Sequence, residues 1–226
     1  MMTPTTQAQD TGASSVINRY DNLSLTREGP TIDRELALKM FRRGNTYSTL
    51  ERHEEAIEEY RRAISADPNF VDAIRNLANT YYFLERYDEA KPLLARFIEL
   101  QTSVSAGLIA AVQTLGQLER NDGNYETALE YDIRAIELDP GNDSQVHIMA
   151  NTYNNNGHPD AAIRIYQTAI ATMPENAFFD RSLGRILEQE DRLEEALETY
   201  RSAAEKDPES EFYADLVANL ENRLAR

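Results

Sequence analysis

Residues 143–176, DSQVHIMANTYNNNGHPDAAIRIYQTAIATMPEN, contain the pattern that decides the fold. Val146, Met149 and Tyr153 follow one another at spacings of three and four, which is typical of the apolar stripe of a helix. Gly157 comes just past this stripe, where a glycine commonly ends a helix, and a second apolar stripe follows it. The segment therefore predicts a helical hairpin.

The same pattern returns at a fixed step along the chain. Pro140, Pro174 and Pro208 are 34 residues apart, and Pro68 precedes Pro140 by two such steps plus four residues. An alanine stands twelve residues before each of these prolines, at Ala56, Ala128, Ala162 and Ala196. Ala90 holds the equivalent position in the unit that lacks a proline. Self-similarity of this length indicates a repeat protein whose units bury their apolar faces against their neighbours.

Small residues also recur at one position of the first helices, where two helices must approach closely. They are Gly44, Ala78, Gly116, Ala150 and Gly184. With the recurring tyrosines, alanines and prolines, they make the chain resemble the tetratricopeptide repeat (TPR) family. The resemblance implies an all-α fold, an α-α superhelix (TPR solenoid) of five helical hairpins. The units that match are 37–70, 71–104, 109–142, 143–176 and 177–210, and we expect a C-terminal capping helix over 211–226.

Several segments depart from this regular pattern. Residues 1–30 are rich in Thr, Ser, Gln and Asn, which predicts a disordered tail, although residues 16–25 could instead dock on the repeats. The junction between the second and third units holds four extra residues within 101–108, and Phe97 stands where other units have alanine. Two interpretations of this junction are possible: altered stacking of the units, or only a longer second helix. Asp132 and Asp180 replace large side chains, and Tyr131 is the expected compensation for Asp132.

The composition limits the classes of function. The formal net charge is −16, which argues against nucleic-acid binding because that needs clustered Lys and Arg. The chain has no cysteine, so disulfides and thiolate metal sites are excluded and a reducing compartment fits. Neither a signal peptide nor a membrane-spanning stretch is visible. We expect a cytoplasmic protein.

No constellation in the sequence indicates catalysis. His53, His147 and His158 lie on different elements without a second ligand at metal spacing, so no metal site and no cofactor are expected. Glu58 and Glu59, in a carboxylate-rich stretch of a second helix, are expected on a solvated outer face. There is no glycine-rich phosphate loop and no pairing of a nucleophile with a base. The sequence therefore predicts a protein that is not an enzyme.

The distribution of charge and the family resemblance point to one face of the repeats. The first helices are nearly neutral in sum, and the second helices with their turns carry almost all of the excess negative charge. In the TPR family the first helices line a concave groove that binds extended peptides. The groove positions correspond to Asn45, Arg75, Asn76, Asn79, Gln113, Gln117, His147, Asn151, Asn154, Asn155, Arg181 and Arg185.

This lining suits a protein or peptide partner with some acidic character, because amides can pair with a peptide backbone and arginine can grip a carboxylate. The family's clamp for chaperone C-terminal tails is disfavoured, since Phe41, Ala110 and Thr114 stand where it needs cations. We expect a non-catalytic adaptor or assembly scaffold. The alternatives are a regulatory sensor whose groove takes a small peptide or its own N-terminal tail, and a protein that self-associates into a homo-oligomer.

Overall fold

The computed structural model describes residues 32–226, so the expected tail over 1–30 lies outside the described residues. Over 32–226 the chain forms α-helices and contains no strand, which confirms the all-α repeat fold. The eleven helices of this range are α1 Arg34–Thr49, α2 His53–Ala66, α3 Val71–Phe83, α4 Tyr87–Glu99, α5 Ala106–Asn121, α6 Tyr125–Leu138, α7 Asp143–Asn155, α8 Pro159–Thr172, α9 Ala177–Gln189, α10 Leu193–Lys206 and α11 Glu211–Leu224. The five-unit division and the capping role of α11 stay predictions.

Short polar side chains fix the starts of three first helices. The Asp33 carboxylate accepts a hydrogen bond from the Leu36 backbone N–H at 2.9 Å, so it caps α1. Asn142 and Asn176 cap α7 and α9 in the same way through their side-chain oxygens. Such caps satisfy backbone N–H groups that have no partner within the helix.

The turn inside each hairpin requires a left-handed residue. Five residues with positive φ follow α1, α3, α5, α7 and α9: Glu51 at 58°, Glu85 at 58°, Gly123 at 79°, Gly157 at 81° and Asp191 at 59°. They hold the same position in the five predicted units. Glycine adopts this conformation freely, whereas a side chain crowds the following carbonyl oxygen. The turns at Glu51, Glu85 and Asp191 are therefore strained where the other two are not.

The chain divides into two compact units, one ending at Leu118 and one spanning Glu119–Arg226. In the first unit α1 packs on α2, α2 on α3, and α3 on α4. In the second unit α7 packs on α8, α8 on α9, α9 on α10, and α10 on α11, while α6 contacts α7 and α8. The division falls inside α5, after the irregular segment that the sequence indicates at 101–108.

The irregular segment is a non-helical link and not an extension of the preceding helix. The helix α4 ends at Glu99 and α5 begins at Ala106, so the prediction of a longer second helix is wrong. Phe97 is buried, with its ring edge beside Gly107 at the start of α5. A Cβ atom at Gly107 would lie 3.6 Å from the ring, an ordinary van der Waals distance, so the ring packs against the start of α5 without requiring a glycine there.

The two aspartates that break the repeat pattern are buried and paired with basic groups. Asp132 is fully buried, and it accepts hydrogen bonds from Arg120 and from the Tyr153 hydroxyl, the latter at 2.7 Å. Tyr131, the aromatic residue expected to compensate for Asp132, is itself buried, and its compensating role stays a prediction. Asp180 accepts from Lys206 and from the Ser202 hydroxyl on α10. In both cases a neighbouring helix provides the partner.

Glu59 corrects the expectation of a solvated acidic face on α2. Its carboxylate is buried and lies 3.0 Å from Arg43 and 3.4 Å from Arg62, whereas the Glu58 side chain is about half exposed. An acidic stretch on one helix thus contains both a structural and a solvated carboxylate. Within residues 32–226 no helix combines the length and the apolar character of a membrane span.

Glycine at a strained turn should stabilise the fold. We expect Glu85→Gly to raise the free energy of unfolding by about 0.5–1 kcal/mol, because it removes the left-handed strain of a non-glycine residue. The reciprocal change Gly157→Glu should lower it by about 1–2 kcal/mol. Urea denaturation followed by circular dichroism measures both. A loss of stability in Glu85→Gly would contradict this reading of the turn.

The buried pair should show a characteristic double-mutant pattern. Arg120→Leu leaves the Asp132 carboxylate buried without its cation, so we expect a loss of about 3–5 kcal/mol in the free energy of unfolding. Replacing both residues by leucine removes the orphaned charge and should recover most of that loss. Equal destabilisation in the single and double variants, measured by urea unfolding, would show that the charge pairing is not the cause.

Candidate functional site

The first unit contains an open cavity of about 480 Å³ between its first helices, α1 and α3, and the beginning of α2. Asn45, Asn76 and Asn79, three residues predicted from the sequence, line it together. The full lining consists of Asn45, Ser48, Thr49, His53, Tyr60, Asn76, Asn79, Thr80 and Phe83. The lining thus offers amides, hydroxyls, one imidazole and one phenyl ring, and no carboxylate.

One amide oxygen holds the cavity wall in place. The side-chain oxygen of Asn45 accepts hydrogen bonds from the Tyr60 hydroxyl at 2.8 Å and from the Asn76 amide at 2.9 Å. Burial raises the pKa of the Tyr60 hydroxyl, so it stays protonated and remains a donor at neutral pH. The two first helices of the cavity are therefore joined through an amide that a core tyrosine orients.

The position of the Tyr60 ring depends on Gly44. A Cβ atom at Gly44 would lie 2.6 Å from the ring carbons, so the ring packs directly on the backbone of α1. Gly184 and Tyr200 repeat this contact in the second unit, with a corresponding distance of 2.5 Å. At these two positions the ring therefore leaves no room for a side chain on the first helix.

His53 and Phe83 form an aromatic wall of the cavity that the sequence reasoning missed. Their ring centroids are 5.0 Å apart, and Phe83 is 70% exposed although it is large and apolar. Phe83 is the last residue of α3, beyond the apolar stripe that packs in the core. An aromatic residue at this off-stripe position is the signal that could have identified it.

Three predicted residues of the first unit lie outside this cavity. Arg75 is half-buried and forms an ion pair with Asp72 at 3.0 Å on the same helix. Gln113 is half-buried and Gln117 is exposed, both on α5. The structure brings together the three asparagines and separates them from these side chains.

In the second unit, four side chains form a continuous hydrogen-bonded row. The Tyr166 hydroxyl lies 2.8 Å from Nδ1 of His147, and Nε2 of His147 lies 2.9 Å from the amide nitrogen of Asn151. The amide oxygen of Asn151 accepts a hydrogen bond from Arg185 at 3.3 Å. Burial, followed by the charges of Arg185 and Arg181, lowers the pKa of His147. The imidazole is therefore neutral at physiological pH.

Arg181 lies beside this row and stacks on aromatic rings. Its guanidinium is 5.1 Å from the Phe178 ring centroid and 5.9 Å from that of Phe212. The Phe178 ring in turn packs edge-on against His147, with centroids 5.3 Å apart. The Arg181 Nε atom is buried and has no hydrogen-bond partner among the described residues. Arg181 is thus partly enclosed and not simply solvent-facing.

The last two predicted residues lie at the end of α7. The Asn154 amide donates to the side-chain oxygen of Gln189 at 3.2 Å, which links α7 to α9. Asn155 is exposed. Of the six predicted residues in this unit, His147, Asn151 and Arg185 are therefore bonded to one another, and Arg181 contacts them through Phe178. No group of three or more His, Cys, Asp or Glu over 32–226 is arranged to hold a metal ion.

These features define the chain as a repeat protein of helical hairpins. Family models described as TPR repeat or tetratricopeptide repeat match residues 44–84, 71–104, 109–142 and 149–211. The chain belongs to the tetratricopeptide repeat family. No curated protein matches its sequence.

Solved structures of similar fold support the same assignment. The crystal structure of MamA protein is 25% identical, with 77% of this chain and 93% of that chain covered and a TM-score of 0.51. YrrB, described as a TPR protein with an unusual peptide-binding site, is 21% identical, with 82% and 92% covered and a TM-score of 0.50. At this identity YrrB shows the fold alone.

The contact between Gly44 and Tyr60 should resist even a single methyl group. We expect Gly44→Ala to lower the free energy of unfolding by about 1–2 kcal/mol, because the clash with the ring outweighs the better helix propensity of alanine. Gly107→Ala is the matched control, since Gly107 is also helical and a Cβ there would have its nearest neighbour at 3.6 Å, an ordinary van der Waals distance. Thermal and urea unfolding of both variants measure the difference. If Gly44→Ala is as stable as the control, the ring does not need the glycine.

Proposed function

We propose that this protein is a non-catalytic adaptor or assembly scaffold that binds an extended partner segment along the side chains of its first helices. The observation that carries the proposal is the convergence of Asn45, Asn76 and Asn79 on one open cavity of about 480 Å³. The family assignment supports it, because stacked helical repeats present extended surfaces for binding. The acidic second helices are then not the recognition surface.

The cavity chemistry fits a peptide in an extended conformation. Such a peptide exposes backbone N–H and C=O groups that need partners when they leave water. The Asn45 oxygen already accepts from Tyr60 and Asn76, but the Asn45 amide N–H groups, the Asn76 oxygen and the Asn79 amide can still supply both donors and acceptors. The ring of Phe83 and the adjacent imidazole of His53 provide an apolar wall for one side chain of the peptide. Uncharged amides favour backbone recognition over recognition of a charge.

The bonding between Asn45 and Tyr60 adds preorganisation. Because the Asn45 oxygen is held by both the Tyr60 hydroxyl and the Asn76 amide, the cavity wall keeps its arrangement without a ligand. A preformed site loses less side-chain entropy on binding than a mobile one. The partner segment therefore bears most of the ordering cost.

The proposal is tested by selecting random, unstructured displayed peptides on the full chain and measuring the affinity of the selected peptides by fluorescence anisotropy. We expect the double change Asn76→Ala and Asn79→Ala to weaken binding by about 10-fold or more, because each lost hydrogen bond costs about 0.5–1.5 kcal/mol. Affinity capture from the native host, followed by mass spectrometry, then identifies natural partners.

Gln167→Ala is the matched control, because it truncates an exposed amide on the second helix α8. A second control is Glu58→Gln, which removes an exposed carboxylate of α2. The neighbouring Glu59 is left unchanged because it is buried. Both variants should bind like the unchanged protein. If these controls lose binding and the double asparagine variant retains it, the partner surface is on the second helices and the proposal is wrong.

A further inference from the structure

We propose that the second unit binds a carboxylate of an acidic partner segment between Arg181, Arg185 and His147, and that this binding places a proton on His147. The inference rests on the proposed function, since it names the chemistry of a segment held by the first helices. The site is distinct from the amide cavity of the first unit. It uses the row of side chains formed by Tyr166, His147, Asn151 and Arg185.

The direction of every hydrogen bond in this row follows from Arg185. A guanidinium can only donate, so the Asn151 oxygen accepts from it and the Asn151 amide nitrogen must donate to Nε2 of His147. Nε2 therefore carries no proton. The single ring proton is on Nδ1, where it is donated to the Tyr166 oxygen. Arg185 thus fixes the tautomer of His147, and together with burial it opposes protonation of the ring.

A second proton on His147 is incompatible with this arrangement. A protonated Nε2 would point its N–H at the N–H of the Asn151 amide. Turning the amide around offers its oxygen to His147, but then the amide N–H faces the N–H of Arg185. Both orientations bring two donors together. His147 can therefore become charged only when Arg185 leaves Asn151.

Arg185 is available to leave because nothing else holds it. Its side chain is exposed, and neither Arg185 nor Arg181 forms an ion pair with any residue of the described range 32–226. Arg181 also keeps a buried Nε without a hydrogen-bond partner. A carboxylate can accept two parallel bonds from one guanidinium, which are stronger than the 3.3 Å bond to a neutral amide.

Carboxylate binding and protonation favour the same rearrangement. When a carboxylate draws Arg185 away, the Asn151 amide is free to turn its oxygen toward the protonated Nε2 of His147. The negative charge also offsets the repulsion between the imidazolium and the two guanidinium groups. Each event therefore strengthens the other, which is reciprocal thermodynamic linkage.

The charged and titratable groups around His147 set the direction of the pH dependence. The Tyr166 hydroxyl faces the ring from α8, and Arg181 and Arg185 act on it from α9. From α6 the carboxylate of Asp132 faces α7, where it is bonded to Tyr153. Burial and the two arginines lower the pKa of His147 in the free protein, and a bound carboxylate raises that pKa again. Affinity should therefore rise as the pH falls through the pKa of the complex, and level off below the pKa of the free protein.

The test is calorimetric titration of the full chain with three octapeptides at about pH 6, where a proton on imidazole can be gained. The first is a capped, amidated peptide of alternating serine and glutamate. The second replaces glutamate by glutamine but keeps a free C-terminal carboxylate, and the third is its amidated form. Measurements in two buffers of different ionisation enthalpy give the number of protons taken up. The first two peptides separate a side-chain carboxylate from a terminal one, and the third has neither.

We expect a carboxylate-bearing peptide to bind with proton uptake and the neutral peptide not to take up protons. Arg185→Gln should weaken the binding by about 10- to 100-fold, because it removes a hydrogen-bonded charge. His147→Gln keeps an acceptor for Asn151 and should abolish the proton uptake. The matched controls are Arg164→Gln, an exposed arginine of α8, and His158→Gln, and both should leave affinity and proton uptake unchanged.

Nuclear magnetic resonance of the free protein gives a second measurement that needs no ligand. The chain has three histidines, so substitutions assign their ring signals, and the nitrogen shifts of His147 should show a neutral ring protonated on Nδ1 at pH 7. A ring protonated on Nε2 or charged at this pH would overturn the inference. So would carboxylate binding without proton uptake, or uptake that survives His147→Gln. Loss of peptide binding in the asparagine variants, together with no uptake at His147, would leave the proposed function standing and remove only this inference.

Discussion

The contact of a tyrosine ring with the backbone of a first helix is the constraint on which the hairpins depend. At Gly44 and Gly184 a Cβ would come within 2.6 Å and 2.5 Å of the rings of Tyr60 and Tyr200. Protein interiors are packed as densely as organic crystals, so such a ring fits only where the helix leaves a place for it. The ring packs directly on the helix, and its hydroxyl bonds to a polar side chain of that helix, Asn45 or Glu188. Close packing and the polar surface therefore have the same cause.

Equivalent tyrosines of three hairpins place their hydroxyls in three different chemical settings. Tyr60, Tyr166 and Tyr200 each lie eight residues before a position that marks the end of a unit. Their hydroxyls bond, in the same order, to Asn45, His147 and Glu188. The hydrogen-bond length of the hydroxyl is nearly constant, at 2.8–2.9 Å. Its partner is a neutral amide in one hairpin, an imidazole beside two arginines in another and a carboxylate in the third. The repeat can thus vary its surface chemistry without altering the packing that holds the helices together.

The sequence predicts the helical hairpins well, because apolar residues spaced three or four positions apart have a single physical cause, the burial of one helix face. It also selects Asn45, Asn76 and Asn79, which the structure places on one cavity, since register along a repeat determines which side chains point the same way. The buried Glu59 was not predictable in this manner. Its burial depends on Arg43 of another helix, and periodicity within one helix contains no information about that partner.

The distribution of ion pairs explains why net charge is a poor guide to the site. Buried carboxylates such as Asp132 and Asp180 are bonded to cations of neighbouring helices, because an unpaired charge in the interior is strongly unfavourable. Arg181 and Arg185 remain without an ion pair in the described part of a chain whose net charge is −16. Because carboxylates are abundant in this chain, these two arginines lack an ion pair on account of where they lie and not because acidic residues are scarce. The first-helix face of the second unit keeps positive charge, and burial together with that charge lowers the pKa of His147.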